Sequence, residues 1–375
     1  NAWVTFPCFY RAFRVVYLGL KIAQSIGDIG KEGSGYAYLT LAYYAANKPK
    51  EAIICGEKSI EILKRVGEFW HLGVAYCFTC LSYHVSGDHK RLLDLYKHNV
   101  ATAEQVGAIQ NLGWAKVGGY LVFSYIGDLD ISIREIEESN NYVKSVNDKP
   151  SFVWTLAQLG YLYYKKRIYD KALEYINQAL EIFPDYFNKG FWILDIFSMS
   201  AEVYLGKIIN TPDLSFSAKK EYSKKARYCC KWAIFWGSRY QVFYAWSLQV
   251  NGTYLWLTGH KKRAVRTWDK ALHWLRTNKN NPGGDKYRIA YILLEEAKFL
   301  LQDNPQDKKA LGNLLEAKEL FSSMGCKLDL QTCNDLLAKI MPSGEGLEGR
   351  EVLTQRRHLE SLLSTTRAIG SVFVL

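Results

Sequence analysis

Val153 to Tyr186 reads VWTLAQLGYLYYKKRIYDKALEYINQALEIFPDY. Ala172 and Ala179 stand seven positions apart, two turns along one face of a helix. Small residues there let a second helix approach closely. Tyr163, nine positions before Ala172, fills the space beside the contact. Leu159-Gly160 lies on the same first helix, and Pro184 follows the second. The stretch is therefore a helical hairpin with an apolar face too large for the hairpin to cover alone.

Working outward, the same marks recur at a step of 40 residues. Gly27, Gly67 and Gly107 fall at equal intervals. So do the small pairs Ala12/Gly19, Ala52/Ser59 and Ser132/Ser139, while Leu92 and Asn99 break the rule in one copy. Tyr43, Tyr83 and Phe123 precede Tyr163 on the same ruler. Turn signals lie between: Asn47-Lys48-Pro49, Ser86-Gly87-Asp88 and Gly127-Asp128. Later copies keep the pair but lose the strict spacing: Ala226/Ala233, Ala264/Ala271 and Ala310/Ala317. An insertion near Lys207–Lys220 explains the longer step before Ala226. The pattern predicts an all-α chain of about seven hairpins, preceded by a lone helix around Ala12–Ile26. Stacked hairpins cover each other's apolar faces, which makes a solenoid.

The fourth unit resembles a tetratricopeptide repeat (TPR): Leu159-Gly160, Tyr163, Ala172, Ala179 and Pro184 stand at that repeat's offsets. A period near 40 also fits HEAT-type repeats, but this unit favours TPR with lengthened helices. The resemblance implies a right-handed superhelical solenoid over residues 1–341, with the first helix of each hairpin lining a concave surface. Ala317 to Cys326, followed by Asp329-Leu330, is similar to the last unit of TPR regions in large bacterial signalling proteins. In those, a kinase and a STAND-class ATPase precede the repeats, and a GAF domain and a histidine kinase or cyclase often follow. Pro342 to Gly349 breaks the helical pattern, so 342–352 reads as a linker. From 353 to 375 a heptad-like stripe of Leu359, Leu362, Thr366, Ile369 and Phe373 resembles the helix leading into GAF domains. Both termini read as cut from a longer chain, so neighbouring domains of the same polypeptide are expected partners.

Composition sets the outer bounds. The 375 residues are 49% hydrophobic and 23% charged, which suits a folded chain and not a disordered one. No apolar run reaches the length of a membrane span, so no membrane partner is expected. Eight cysteines are too few for a disulfide scaffold of this size, which points to a reducing cytoplasm. The P-loop pattern, HExxH and Gly-x-Ser-x-Gly are all absent. No enzyme activity, cofactor or metal site is expected of this segment. Cys77-Phe-Thr-Cys80 is a lone pair that cannot complete a four-ligand zinc site, so it reads as buried thiols. His84, His89 and His98 read as exposed polar residues near a hairpin turn.

Two surfaces remain as binding candidates. The register of the repeats places Tyr44, His84, Trp114, Trp154, Tyr161, Tyr164, Trp246, Gln249 and Trp256 on the concave face. That row would suit a protein or peptide ligand, since aromatic anchors dominate such interfaces. Trp114, Trp154 and Trp246 occupy one equivalent place in three units. The net charge of +11 is concentrated in residues 201–280, which hold 15 basic against four acidic residues and six of the 11 tryptophans. Lys219, Lys220, Lys224, Lys225, Lys261, Lys262, Arg263 and Arg266 form its basic patch. Basic charge interleaved with aromatics can hold single-stranded nucleic acid, which makes an anionic partner the alternative. The competing reading is a core of tryptophans under a solvated lysine face.

Overall fold

The computed structural model describes residues 9–185 and 191–340. The described residues form sixteen α-helices and no strand. A lone helix, α1 (Phe9–Ser25), is followed by seven hairpins. These are α2 (Ile29–Ala45) with α3 (Pro49–Val66), α4 (Phe69–Ser86) with α5 (His89–Gln105), and α6 (Ile109–Ile126) with α7 (Leu129–Ser145). Then come α8 (Lys149–Lys165) with α9 (Tyr169–Ile182), and α10 (Ile196–Asn210) with α11 (Phe216–Gly237). The last two are α12 (Tyr244–Leu257) with α13 (Lys261–Thr277), and α14 (Lys286–Asp303) with α15 (Lys308–Met324). A final helix, α16 (Lys327–Ile340), closes the array. The fold is an all-α solenoid, as the small-residue ruler predicts. The proposed linker and heptad helix, 342–375, lie outside the described residues.

The turns explain the ruler, and they halve it. From 27 to 167 every twentieth residue has positive φ: Gly27, Asn47, Gly67, Gly87, Gly107, Gly127, Asn147 and Arg167. The left-handed residue ends one helix, and the next residue starts another. Asp28, Glu68, Asp88, Asp128 and Asp148 each accept the backbone N–H three residues on, capping the new helix. Helices of 17 or 18 residues with so short a joint give equal hairpin arms, and hence the 40-residue period. Arg167 is the misfit, a long L-residue held at φ 64°. Strain of this kind costs about 1–2 kcal/mol. Arg167→Gly is therefore expected to raise stability by about 1 kcal/mol, and a fall in the thermal midpoint would contradict the turn assignment.

The small pairs lie where the hairpin arms meet. Ala52, Ser59, Ser132, Ser139, Ala172, Ala179, Ala226, Ala264, Ala271, Ala310 and Ala317 have no accessible surface. Ser59 and Ser139 donate across the joint to the carbonyls of Gly33 and Gly113, at 2.8 and 2.6 Å. In the fourth unit Gly160 backs onto Ala172 so closely that a Cβ would stand 3.0 Å from the Ala172 carbonyl. The insertion before Ala226 is partly helical: α11 runs for 22 residues.

The first helix of each hairpin is buried nearly all round; α4 has thirteen buried residues among eighteen. The reason is that the superhelix returns on itself. α14 touches α4, and the 3-10 turn Gln241–Phe243 touches α2. Tyr125 at the end of α6 donates to the Met324 sulfur at 2.7 Å. Gly127 has φ 91°, and a Cβ there would stand 3.0 Å from the Leu328 backbone nitrogen, so only glycine fits. Lys165 pairs with Asp329 of α16 at 3.6 Å. The inner helices thus enclose an axial core where an open groove was one expectation.

Candidate functional site

Two hollows lie on the inner side. The first is an aromatic groove of about 230 Å³ on α2, α4, α6 and α8 and the 3-10 turn Phe191–Asp195. Leu41, Val74 and Phe78 form its floor, and Tyr38, Trp70, Trp114 and Trp192 its walls. Trp70 is 44% exposed, the only exposed residue among the described tryptophans. Its ring meets Trp114 edge-on, with centroids 6.0 Å apart. The Trp114 indole donates to Asp148 at 2.9 Å and to Ser151 at 3.1 Å, which fixes its plane. Gln110 also donates to Asp148, at 3.1 Å. Tyr38 is held by His71 at 3.0 Å, and His71 by Glu68 at 2.8 Å. The groove is therefore mainly apolar, and the Tyr38 hydroxyl, the Gln110 amide, the Trp114 indole and the Asp148 carboxylate are already engaged with protein groups.

The second hollow lies on the axis, has a volume of about 120 Å³, and touches all seven inner helices and α16. Trp154 lines both hollows, as does Leu81. The Trp154 indole donates to Asp195 at 3.1 Å. Burial pushes the Asp195 carboxyl up to about 7, against the pull of that indole, of backbone amides and of Arg288. Two helical turns further on, Glu202 gathers three donors. These are Tyr291 at 2.6 Å, Trp246 at 2.9 Å and Tyr161 at 3.4 Å. Arg288 donates to Gln249 at 2.9 Å and covers the Trp246 ring at 4.2 Å.

The predicted concave residues divide between these places. Trp114 and Trp154 line the groove; Tyr44, His84, Trp154, Tyr161 and Trp246 line the axial cavity. Gln249 is buried beneath Arg288, and Tyr164 packs on Gly206. Trp256 packs between Trp268 and Phe299, at 5.8 and 5.7 Å. Burial holds the phenols of Tyr44, Tyr161 and Tyr164 well above their ordinary range. The groove residues Tyr38, Trp70, Gln110, Asp148 and Trp192 were not predicted. Trp70 and Gln110 stand one 40-residue step apart in the first turn of their helices, a signal the sequence does carry. Trp192 lies in the segment where the ruler breaks, and periodicity cannot reach it.

One reading of the histidines is corrected. His84 and His89 are not exposed turn residues; both are half-buried, and with Tyr125 they form an aromatic cluster that shields His84 Nδ1 and both His89 ring nitrogens from solvent. His89 stacks on Tyr125 at 3.4 Å, and His84 meets His89 edge-on at 5.6 Å. His98 is exposed. Cys77 and Cys80 are buried free thiols, pushed up by desolvation. Among the described residues no group of three His, Cys, Asp or Glu could hold a metal ion. No helix there is long and apolar enough to cross a membrane.

In the basic segment the charges face outward. Lys220, Lys224, Lys261, Lys262, Arg263 and Arg266 are exposed, and Lys219 and Lys225 are half-buried. Lys225 pairs with Glu221 at 3.0 Å, Lys261 pairs with Asp303, and Lys219 donates to the Pro212 carbonyl at 3.1 Å. The six tryptophans beneath them are buried or half-buried, and Trp268 has no accessible surface. A stacking platform for bases needs exposed ring faces.

A sequence model of the tetratricopeptide repeat family matches residues 153–186, the α8–α9 hairpin with the residues just after it. No curated protein matches the chain. The match and the helical array support a TPR region, and with it a protein-interaction module in general.

Proposed function

We propose that the chain is a non-catalytic interaction segment of a larger signalling protein, and that it holds a peptide segment of a protein partner in the aromatic groove. The observation that carries this is Trp70, the one exposed indole among the described tryptophans, set over a groove whose other walls are Trp114 and Trp192. An exposed indole beside an apolar hollow is the kind of anchor point at which aromatic residues carry binding energy. The Tyr38 hydroxyl, the Trp114 indole and the Asp148 carboxylate are engaged internally and the rest of the lining is mainly apolar, so the complementary ligand presents an apolar or aromatic side chain as its anchor. Trp154 forms a wall common to the groove and the axial core, so occupancy of the groove would favour one curvature of the solenoid over another. Differential affinity for two such states is what would carry a signal to whatever follows α16.

Peptides selected by display on the full chain provide the ligand for a test. Trp70→Ala and Trp114→Ala are each expected to weaken the selected peptides by about 2 kcal/mol, roughly thirtyfold. Unchanged affinity in both variants would remove the groove as the binding surface.

A further inference from the structure

The axial cavity is polar in a lopsided way. Three carboxylates line it, Asp195, Asp285 and Asp329, against two cations, Lys165 and Arg288. Lys165 is paired with Asp329. Arg288 is committed to Gln249 and to the Trp246 face. The lining thus carries one carboxyl more than it has cations, and Arg288 is the one cation left to serve both Asp195 and Asp285. Glu202, behind Tyr161 and Trp246, adds a second carboxyl in excess, since its hydrogen-bond donors are neutral phenols and an indole. Buried charge is normally compensated, because an unpaired ion in a low-dielectric interior is costly.

A second, independent feature points the same way. Gln158 is 1% exposed and lines the cavity, yet its carboxamide oxygen has no partner. A buried acceptor left unpaired is costly, since it has given up its hydrogen bond to water for nothing. The rest of the lining is aliphatic and aromatic, its rings including Tyr44, Tyr120, Trp154 and Tyr161. Such faces attract cations, and more strongly when water is excluded. What the cavity lacks is therefore a positive charge with N–H donors and a small hydrocarbon body.

We propose that the axial cavity binds a small organic ammonium ion, its N–H groups on Asp195 and Gln158 and its hydrocarbon part against the tyrosine and tryptophan rings. A cavity of about 150 Å³ holds benzene, so this one takes a ligand of only a few carbon atoms. Pushed up to about 7 by burial, the Asp195 carboxyl holds a proton part of the time near pH 7, and an incoming ammonium ion would favour its carboxylate form. Because the cavity touches all seven inner helices and α16, its occupant would fix the curvature of the whole array.

Butylammonium chloride and butan-1-ol, nearly isosteric and differing in charge, are the probes, titrated into the full chain and followed by calorimetry. Butylammonium is expected to bind saturably and about tenfold or more tighter than the alcohol. Asp195→Asn is expected to abolish that preference. Equal binding of the two probes to the wild-type chain, no saturable binding of butylammonium, or a preference that survives Asp195→Asn would each overturn the proposal and leave water as the occupant. The wild-type comparison decides the matter even if the variant does not fold. The proposal is independent of the peptide groove: Trp70→Ala is expected to leave butylammonium binding unchanged.

Discussion

Glu202→Ala is expected to destabilise the chain by about 3–5 kcal/mol, because it leaves three hydrogen-bond donors of the inner helices without their acceptor, at about 1–3 kcal/mol for each that is buried. Glu202 sits on α10 and is 6% exposed. Its carboxylate accepts from Tyr161 on α8, Trp246 on α12 and Tyr291 on α14. Four successive inner helices therefore converge on two oxygen atoms. Removing them orphans two phenols and an indole, of which Tyr161 and Tyr291 are buried, and leaves space that the rigid inner helices cannot close. Glu202→Gln keeps one acceptor oxygen but turns two N–H donors toward the donors already present. It is expected to recover only part of the loss. Denaturant unfolding of the two variants checks this. If Glu202→Ala shifts the midpoint no more than an average surface substitution, the inner helices are held by apolar packing alone, and the carboxylate is not their common anchor.

The fold was legible because it is local. Hairpin contacts between residues such as Ser59 and Gly33 lie 26 positions apart. The signals that fix them, small residues at the crossing and an aromatic beside it, recur wherever the geometry recurs. The left-handed joints are written too, in Gly27, Gly67 and Gly107, although Asn47, Asn147 and Arg167 conceal the finer 20-residue step. The site was only half legible. Trp114 and Trp154 could be placed because they repeat. Closure of the superhelix could not: Tyr125 meets Met324 across 199 positions, and Tyr291 meets Glu202 across 89. No periodicity encodes such contacts, since they depend on small rotations between hairpins added over several units. The same closure half-buries His84 and His89, which flank the turn at Gly87, against Tyr125 and Tyr287. It also converted part of the expected concave row, Tyr161 and Gln249 among it, into an axial core.

His89→Phe follows from that correction and is expected to stabilise the protein, by an amount that grows as the solution is acidified. His89 lies flat on Tyr125 at 3.4 Å, and both of its ring nitrogens are buried without partners. Phenylalanine keeps the stacked ring and removes the two unsatisfied atoms. At pH 7 that alone favours the variant by about 1–3 kcal/mol. Desolvation lowers the His89 imidazole from 6.5 to about 4, only partly opposed by Asp88. The folded state then stays neutral where the unfolded chain takes up a proton. Stability from a neutral buried histidine is complete above pH 6.5 and is lost as the pH falls toward 4. Over that window the wild type loses about 1.4 kcal/mol per pH unit that the variant does not. His84, lowered to about 3 by burial and by its neighbours His89 and Arg288, contributes in the same direction in both proteins. Raised carboxyls, Asp195, Asp285 and Glu296, contribute with the opposite sign, also in both, and cancel in the comparison. Unfolding of the two proteins at pH 7 and pH 5 therefore reads His89 together with the part of the His84 shift that His89 causes, and both act in the same direction. A difference that stays constant with pH would mean that His89 reaches water in the folded state, and a variant less stable than the wild type at both values would mean that its nitrogens have partners after all.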